Sequence, residues 1–257
     1  VNTRRIGVTV RKAGLAAGVA VLAAGLAIGV AMGIAAAAPG SQARTAVTNP
    51  GRMYGNPAAA APYWRQQSLD DCALMAAADV IGELTGREPT EREIIAVAQN
   101  LASWSHPGPI YMPPRDMRDP NGAGRGADPH DIPVLLARYG ITAVFTGRDQ
   151  APLTGVATGL EALERYLAAG HKVIAGVNAE LIWGMPVQTR DQYGAPTADH
   201  AVVVTGVDTA AGTVHLNDSG NPQGRDEQIP VDLFVRTWAT SGNQMVVTAE
   251  DAVARTT

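Results

Sequence analysis

Cysteine is almost absent from this chain: among 257 residues only Cys72 carries a thiol. A single thiol excludes an intramolecular disulfide and a structural zinc site built from several cysteines. Beyond residue 38 no cluster of basic residues interleaved with aromatics occurs, which argues against nucleic acid as a partner. Acidic residues are missing from positions 1–38, where Arg4, Arg5, Arg11 and Lys12 precede an uncharged Ala/Gly/Val/Leu run ending in Ala36-Ala37-Ala38. A basic region, an apolar region and small residues in that order predict an export signal over 1–38, cleaved after Ala38. An uncleaved membrane anchor is the alternative, because the run is long enough to span a bilayer. Thr3-Arg4-Arg5-Ile6 adds a weaker twin-arginine hint. Loss of that segment takes the formal net charge from -4 to -8, a balance that repels phosphates. The expectation is a secreted or cell-surface protein that touches a membrane only through an uncleaved anchor.

In an exported chain cysteines usually pair, so a lone one reads as a reactive thiol or an intermolecular bridge, with a buried inert residue as the bland alternative. Its setting favours reactivity. Gln66-Gln67-Ser68-Leu69-Asp70-Asp71-Cys72 is polar, and the residues after it, Ala73 to Leu84, are rich in helix formers, with Gly86 where a helix should stop. Ser68 or Asp70 can serve as N-cap. Cys72 then lies in the first turn, where unpaired N–H groups and the helix dipole favour a thiolate. The charges of Asp70 and Asp71 oppose this, so a histidine has to dominate the local field.

Along the chain, residues 39–62 are dominated by Pro, Gly, Ala, Ser and Asn and read as a flexible linker, with one domain over 63–249 and a polar tail over 250–257. Thr90 to Leu101 reads as a second helix, Thr90 and Glu93 being spaced as a capping box. Trp104 to Asp128 is crowded with glycine and proline and reads as an irregular surface loop beside the site. Asp131 to Gly140 and Gly159 to Gly170 are helices closed by glycine, each followed by a strand, Ile141–Phe145 and Lys172–Val177. A polar loop from Gly184 to Asp199 leads to His200–Val207 and Thr213–Asn217, a hairpin. Asp232 to Trp238 reads as a short helix and Gln244 to Thr248 as a last strand. Helices first and sheet second make an α+β fold.

A cysteine nucleophile requires a base, a group that orients the base, and donors for the developing oxyanion. Of five histidines, His200 stands where a loop becomes an apolar strand, so its ring can project from the sheet edge. His215 lies on a strand as an outward-facing or satisfied interior residue, and His106, His130 and His171 read as solvated loop residues. Asn217 or Asp218, ending the paired strand, can accept a hydrogen bond from His200 Nδ1.

These residues resemble the papain-like cysteine peptidases that include the bacteriocin-leader, or double-glycine, peptidases and their free-standing secreted relatives. The resemblance runs from Tyr63 to Thr248. In that family an oxyanion glutamine lies six positions before the cysteine of an Asp-Cys pair, as Gln66 does before Cys72. A histidine opens a Val-rich strand that ends in glycine, as in His200-Ala201-Val202-Val203-Val204-Thr205-Gly206, and an aspartate closes the next strand, as Asp218 does. Departures are Ala73 and Ser219, where the family usually has glycine and proline; Gln67 competes with Gln66 and Asn217 with Asp218. No transporter or ATP-binding region accompanies the site, so the leader-processing role of transporter-fused members is not carried over. The resemblance implies a thiol hydrolase of peptide or amide bonds with Cys72 as nucleophile, His200 as base, Asp218 orienting it and Gln66 holding the oxyanion. It implies no metal or organic cofactor, and a peptide or protein as substrate. A cell-wall amide hydrolase or transferase, or a catalytically silent binding module on the same fold, are the rival functions.

Overall fold

Helix α2 (Cys72–Thr85) occupies the centre of the molecule, with ten of its 14 residues buried. Its run of alanines, Ala73, Ala76, Ala77 and Ala78, explains how: with no long side chains in the way, the helix backbone approaches the sheet closely. Gly86 ends it in the left-handed conformation at φ 74°, as glycine allows. The computed structural model describes residues 51–114 and 126–249. The expected export segment, the first part of the expected linker, residues 115–125 of the expected Trp104–Asp128 loop and the tail lie outside those residues.

The remaining elements follow in chain order: β1 (Met53–Gly55), α1 (Pro57–Ala60), a 3-10 turn (Ala61–Tyr63), then α2, α3 (Glu91–Ala98), α4 (Ile132–Ala137) and β2 (Ala143–Thr146). Next come α5 (Ala151–Thr154), α6 (Leu160–Ala168), β3 (Val173–Val177), α7 (Ala179–Ile182) and β4 (His200–Asp208). Last are β5 (Thr213–Asn217), β6 (Glu227–Pro230), α8 (Val231–Ala239) and β7 (Met245–Thr248). The strands form one antiparallel sheet in the order β2-β7-β3-β4-β5-β6, with β1 also paired to β4. The α+β architecture matches the sequence expectation. So does the capping box on α3, where the Thr90 side chain accepts from Glu93 N and the Glu93 carboxylate accepts from Thr90 N.

Strand alternation divides the core in two. Ala201 and Val203 of β4, Ile174 of β3 and Val246 of β7 face α2, α3 and α4. Val202 and Val204, Val173, Ala175 and Val177 face the other way, against Leu163 and Leu167 of α6 and Phe234 and Trp238 of α8. Burial of the Trp238 and Phe234 rings, each fully enclosed, stabilises that face by about 2–3 kcal/mol per side chain.

Three expectations differ from the structure. The second half of residues 39–62 is folded: β1 pairs Met53 with Asp208 and Gly55 with Gly206, and α1 follows at once. This works because β3 covers β4 only from His200 to Val204, leaving the rest of that edge open to β1. A side chain at Gly55 would lie 2.4 Å from Thr205 O, and its φ of +89° suits glycine alone. In the Trp104–Asp128 segment, Ile110 and Tyr111 are fully buried rather than at the surface. Asp131 anchors its start, accepting from Ser103 Oγ at 2.6 Å and Trp104 N at 2.7 Å. Finally, β6 and the one-turn helices α5 and α7 were not anticipated, four residues each being too short to show a period.

Candidate active site

Cys72 is the first residue of α2 and is half-buried and free. The N-cap is Asp71, not Ser68 or Asp70, and its side chain makes no cap bond; only its carbonyl accepts, from Leu74 N at 2.8 Å and Met75 N at 3.0 Å. Ser68 is engaged elsewhere. Glu91, at the start of α3, accepts from Ser68 N and Ser68 Oγ at 2.6 Å each and from Leu69 N at 3.2 Å. One carboxylate thereby pins the loop that leads into Cys72.

Both Asp71 carboxyl oxygens are buried without a hydrogen-bond partner. Burial, reinforced by the charges of Glu91 and Asp70, pushes its pKa up to about 7. Burial also raises Asp70, against the pull of His200. Below about pH 7 a proton on Asp71 removes one of the negative charges that stand beside Cys72, which eases the presence of two aspartates at a helix start that favours an anion.

His200 opens β4, paired in register with Val177 of β3, and is 8% exposed. Its Nε2 bonds Asp218 Oδ1 at 2.6 Å. This corrects the expectation that Nδ1 would meet the acid: the ring is turned so that Nδ1 is the nitrogen left for the hydrogen bond with Cys72. Burial works against an imidazolium here, but the charge of Cys72 and the bonds to Asp218 and Cys72 outweigh it and push the His200 pKa up to about 10.

Asp218 is fully buried. Its Oδ1 also accepts from Gly220 N at 2.8 Å, and its Oδ2 accepts from Trp183 Nε1 at 3.0 Å. Burial disfavours its charge, yet these three donors and the His200 charge hold its pKa below the usual range. Its backbone is fixed too: Trp64 Nε1 donates to Asp218 O at 2.6 Å, and Asp218 N donates to Gly224 O at 2.9 Å. Any side chain at Gly224 would sit 1.9 Å from Asp218 O, so glycine is required there.

Asn217 points to the opposite face, as strand alternation demands. Its Nδ2 donates to Asp79 Oδ2 at 2.7 Å and to Ala60 O at 3.1 Å, and its Oδ1 accepts from Asp226 N at 3.1 Å. The two glutamines separate in the same manner. Gln67 is committed: its N and Oε1 bond Ser219 O at 2.9 Å and Ser219 Oγ at 2.8 Å, and its Nε2 donates to Leu69 O at 2.8 Å. Gln66 is exposed and lines a cavity of about 550 Å³ with Tyr63, Arg65, Met75 and Glu88.

The other histidines are accounted for elsewhere. His215 is a satisfied interior residue on Asp226 Oδ1 at 2.7 Å; His130 bonds Asp128 and stacks on Phe145; His106 meets Pro107 O; His171 lies edge-on to Tyr166. Sequence reasoning missed Trp183, Trp64 and Glu91. Trp183 is the most consequential, its ring 5.5 Å from that of His200 while its N–H holds Asp218. No local pattern marks it, since it precedes Asp218 by 35 positions.

A cysteine at the start of a central helix, and a histidine opening the sheet strand opposite with a buried aspartate behind it, form the papain-like architecture. Within that class the chain belongs to the Peptidase_C39 like family, whose model it matches over residues 58–246. Uncharacterized proteins of Mycobacterium tuberculosis and Mycobacterium bovis are each 63% identical to it over 198 residues, 77% of this chain and 85% of theirs. Among solved structures, one described as a C39-like peptidase from Bacillus anthracis superposes with a TM-score of 0.52 at 15% identity, covering 78% of this chain and 98% of that one. A double glycine motif protease from an AMS/PCAT transporter, solved with its leader peptide, gives 0.40 at 15% identity over 72% and 87%.

Proposed function

We propose that the protein is an exported thiol peptidase. Cys72 attacks the carbonyl carbon of a peptide or amide bond, and His200 takes the thiol proton on Nδ1 and delivers it to the departing nitrogen. Water, activated by the same imidazole, then releases the acyl group from sulfur. Asp218 holds the imidazole through Nε2 and stabilises its positive charge. We assign the oxyanion donors to the backbone N–H of Cys72 and the Gln66 carboxamide, a donor of that kind contributing about 3–4 kcal/mol of transition-state stabilisation. Gln66 takes this part because Gln67 is occupied by Ser219 and Leu69. Residues 1–38 direct export, and a peptide or protein chain is the substrate.

The observation that carries the reading is the 2.6 Å bond from His200 Nε2 to buried Asp218, which leaves Nδ1 as the ring nitrogen open to the chain's single thiol, whose charge is among the causes of the raised His200 pKa. Incubation of the protein with a denatured-proteome peptide mixture, read by mass spectrometry, is the test. New termini should appear with wild type and vanish with both Cys72→Ala and His200→Ala; termini that persist in Cys72→Ala would refute it. N-terminal sequencing of the protein recovered from culture medium tests export, with a start after Ala38 expected.

A further inference from the structure

Beside the His200–Asp218 pair lies an open cavity of about 480 Å³. Its walls are apolar: Ile182, Trp183, Met185 and Pro222 line it, Trp183 being 38% and Met185 50% exposed. Such exposure of large apolar side chains in a concave place next to reacting groups is a mark of a binding site. Gly220 and Asn221 complete the rim, and the only ionisable residue among the lining residues is Glu227, at the start of β6. Glu227 Oε2 is buried and has no hydrogen-bond partner.

The cavity adjoins one particular side of the reaction. In the proposed mechanism His200 hands its proton to the departing nitrogen, so the leaving half of the substrate extends over the imidazole. Trp183 packs against that ring, and Gly220 approaches so near that an added Cβ would lie 3.0 Å from His200 Cε1. Both residues are also walls of the cavity. A side chain just beyond the scissile bond is thereby directed into it.

Resting on the thiol-peptidase reading above, we propose that this cavity is the subsite for a basic side chain, lysine or arginine, on the leaving-group side of the scissile bond. The aliphatic stem lies against Trp183 and Met185, and the cation meets the Glu227 carboxylate, with the indole face of Trp183 adding a cation–π attraction. A purely apolar occupant would leave the Glu227 carboxylate, whose Oε2 is already buried without a partner, with no counter-charge and would take water from its other oxygen, which is costly. An acidic occupant would face two negative groups, Glu227 and the neighbouring Asp218. Burial raises the Glu227 pKa; the bond from Asn221 opposes this, Asp218 adds to it, and His200 draws it back. A cation entering the cavity favours the ionised form in the same way.

Amino-acid amides, which carry the free amine of a leaving-group product, provide the test. Arginine, norleucine and glutamate amides are titrated against the rate at which iodoacetamide labels Cys72 in the native protein. Arginine amide should reach half-protection at about a tenfold lower concentration than norleucine amide, a difference of about 1.4 kcal/mol, with glutamate amide weakest. Glu227→Gln should bring the arginine and norleucine amides together, each half-protection concentration being read against the variant's own unprotected labelling rate, because Glu227 also interacts with His200. Equal protection by all three amides in the wild type, or an arginine preference that survives Glu227→Gln, overturns the proposal. A Cys72 that resists iodoacetamide before any amide is added refutes the peptidase reading instead. Tryptophan fluorescence then decides the cavity's occupant: a change with arginine amide that is lost in Trp183→Phe supports it, and no change in the wild type overturns it.

Discussion

Replacement of Asp218 by asparagine preserves the shape of the site and removes its buried charge. The carboxylate accepts three bonds, from His200 Nε2, Trp183 Nε1 and Gly220 N, and only the first of these involves a partner that becomes positive. A hydrogen bond to a charged group contributes about 1.5–3 kcal/mol net. At about 1.36 kcal/mol per unit, its loss should lower the His200 pKa by roughly one to two units from its present value of about 10. With a pKa of about 10 the ring is already an imidazolium in the resting site, and a new imidazolium forms only as water attacks the acyl-enzyme, so the same loss slows deacylation by roughly 10- to 150-fold. Stability carries a second signature. A histidine whose folded pKa lies above its unfolded value contributes stability that is fully present below the unfolded value of about 6.5 and is lost as pH rises through the folded one. The wild-type protein should thus lose thermal stability as pH rises through about 10, the His200 value, and Asp218→Asn should show a weaker slope displaced to lower pH. Two assays suffice: NMR titration of the His200 Cε1 proton, and Tm by calorimetry from pH 6 to pH 10.5. An Asp218→Asn protein with an unmoved His200 titration and full activity would refute the reasoning.

Three further outcomes follow from the surroundings of the site. Asn217→Ala should unfold the protein more easily by roughly 2–4 kcal/mol in urea, because Asp79, Ala60 O and Asp226 N lose their partner in a buried setting, while Cys72 labelling in the folded fraction stays unchanged. Asp71→Asn should be more stable than wild type above pH 7 and equal to it below pH 4. An acid raised to about 7 in the folded state contributes stability below its unfolded value of 3.8 that is lost as pH rises through 7, and Tm across that window is the check. Glu91→Gln should lower kcat/KM by roughly tenfold through a loosened Ser68–Leu69 loop, with Cys72 labelling kept within about twofold; equal losses in both would make Glu91 part of the thiol's own electrostatics.

Much of this arrangement was legible because it rests on local rules. A helix start with a terminating glycine located Cys72, a loop-to-strand transition located His200, and alternation at the end of β5 separated Asp218 from Asn217. What escaped depends on distance in sequence. Ser68 looked like an N-cap but is taken by Glu91, 23 positions on, which leaves the cap to Asp71. The indole of Trp183 reaches Asp218 across 35 positions, and β1 forms only because β4 has an uncovered edge. Which nitrogen of His200 meets the acid is a matter of ring rotation, to which the backbone pattern is blind.

The central claim, that His200 acts on the one thiol of the chain, is tested most directly by the rate of iodoacetamide labelling of Cys72 at neutral pH in three samples: native wild type, native His200→Ala and urea-unfolded wild type. The account predicts that the native wild-type thiol labels faster than the unfolded one and that His200→Ala labels more slowly than either. A native thiol that labels only after unfolding, or a His200→Ala rate equal to the wild-type rate, would contradict it.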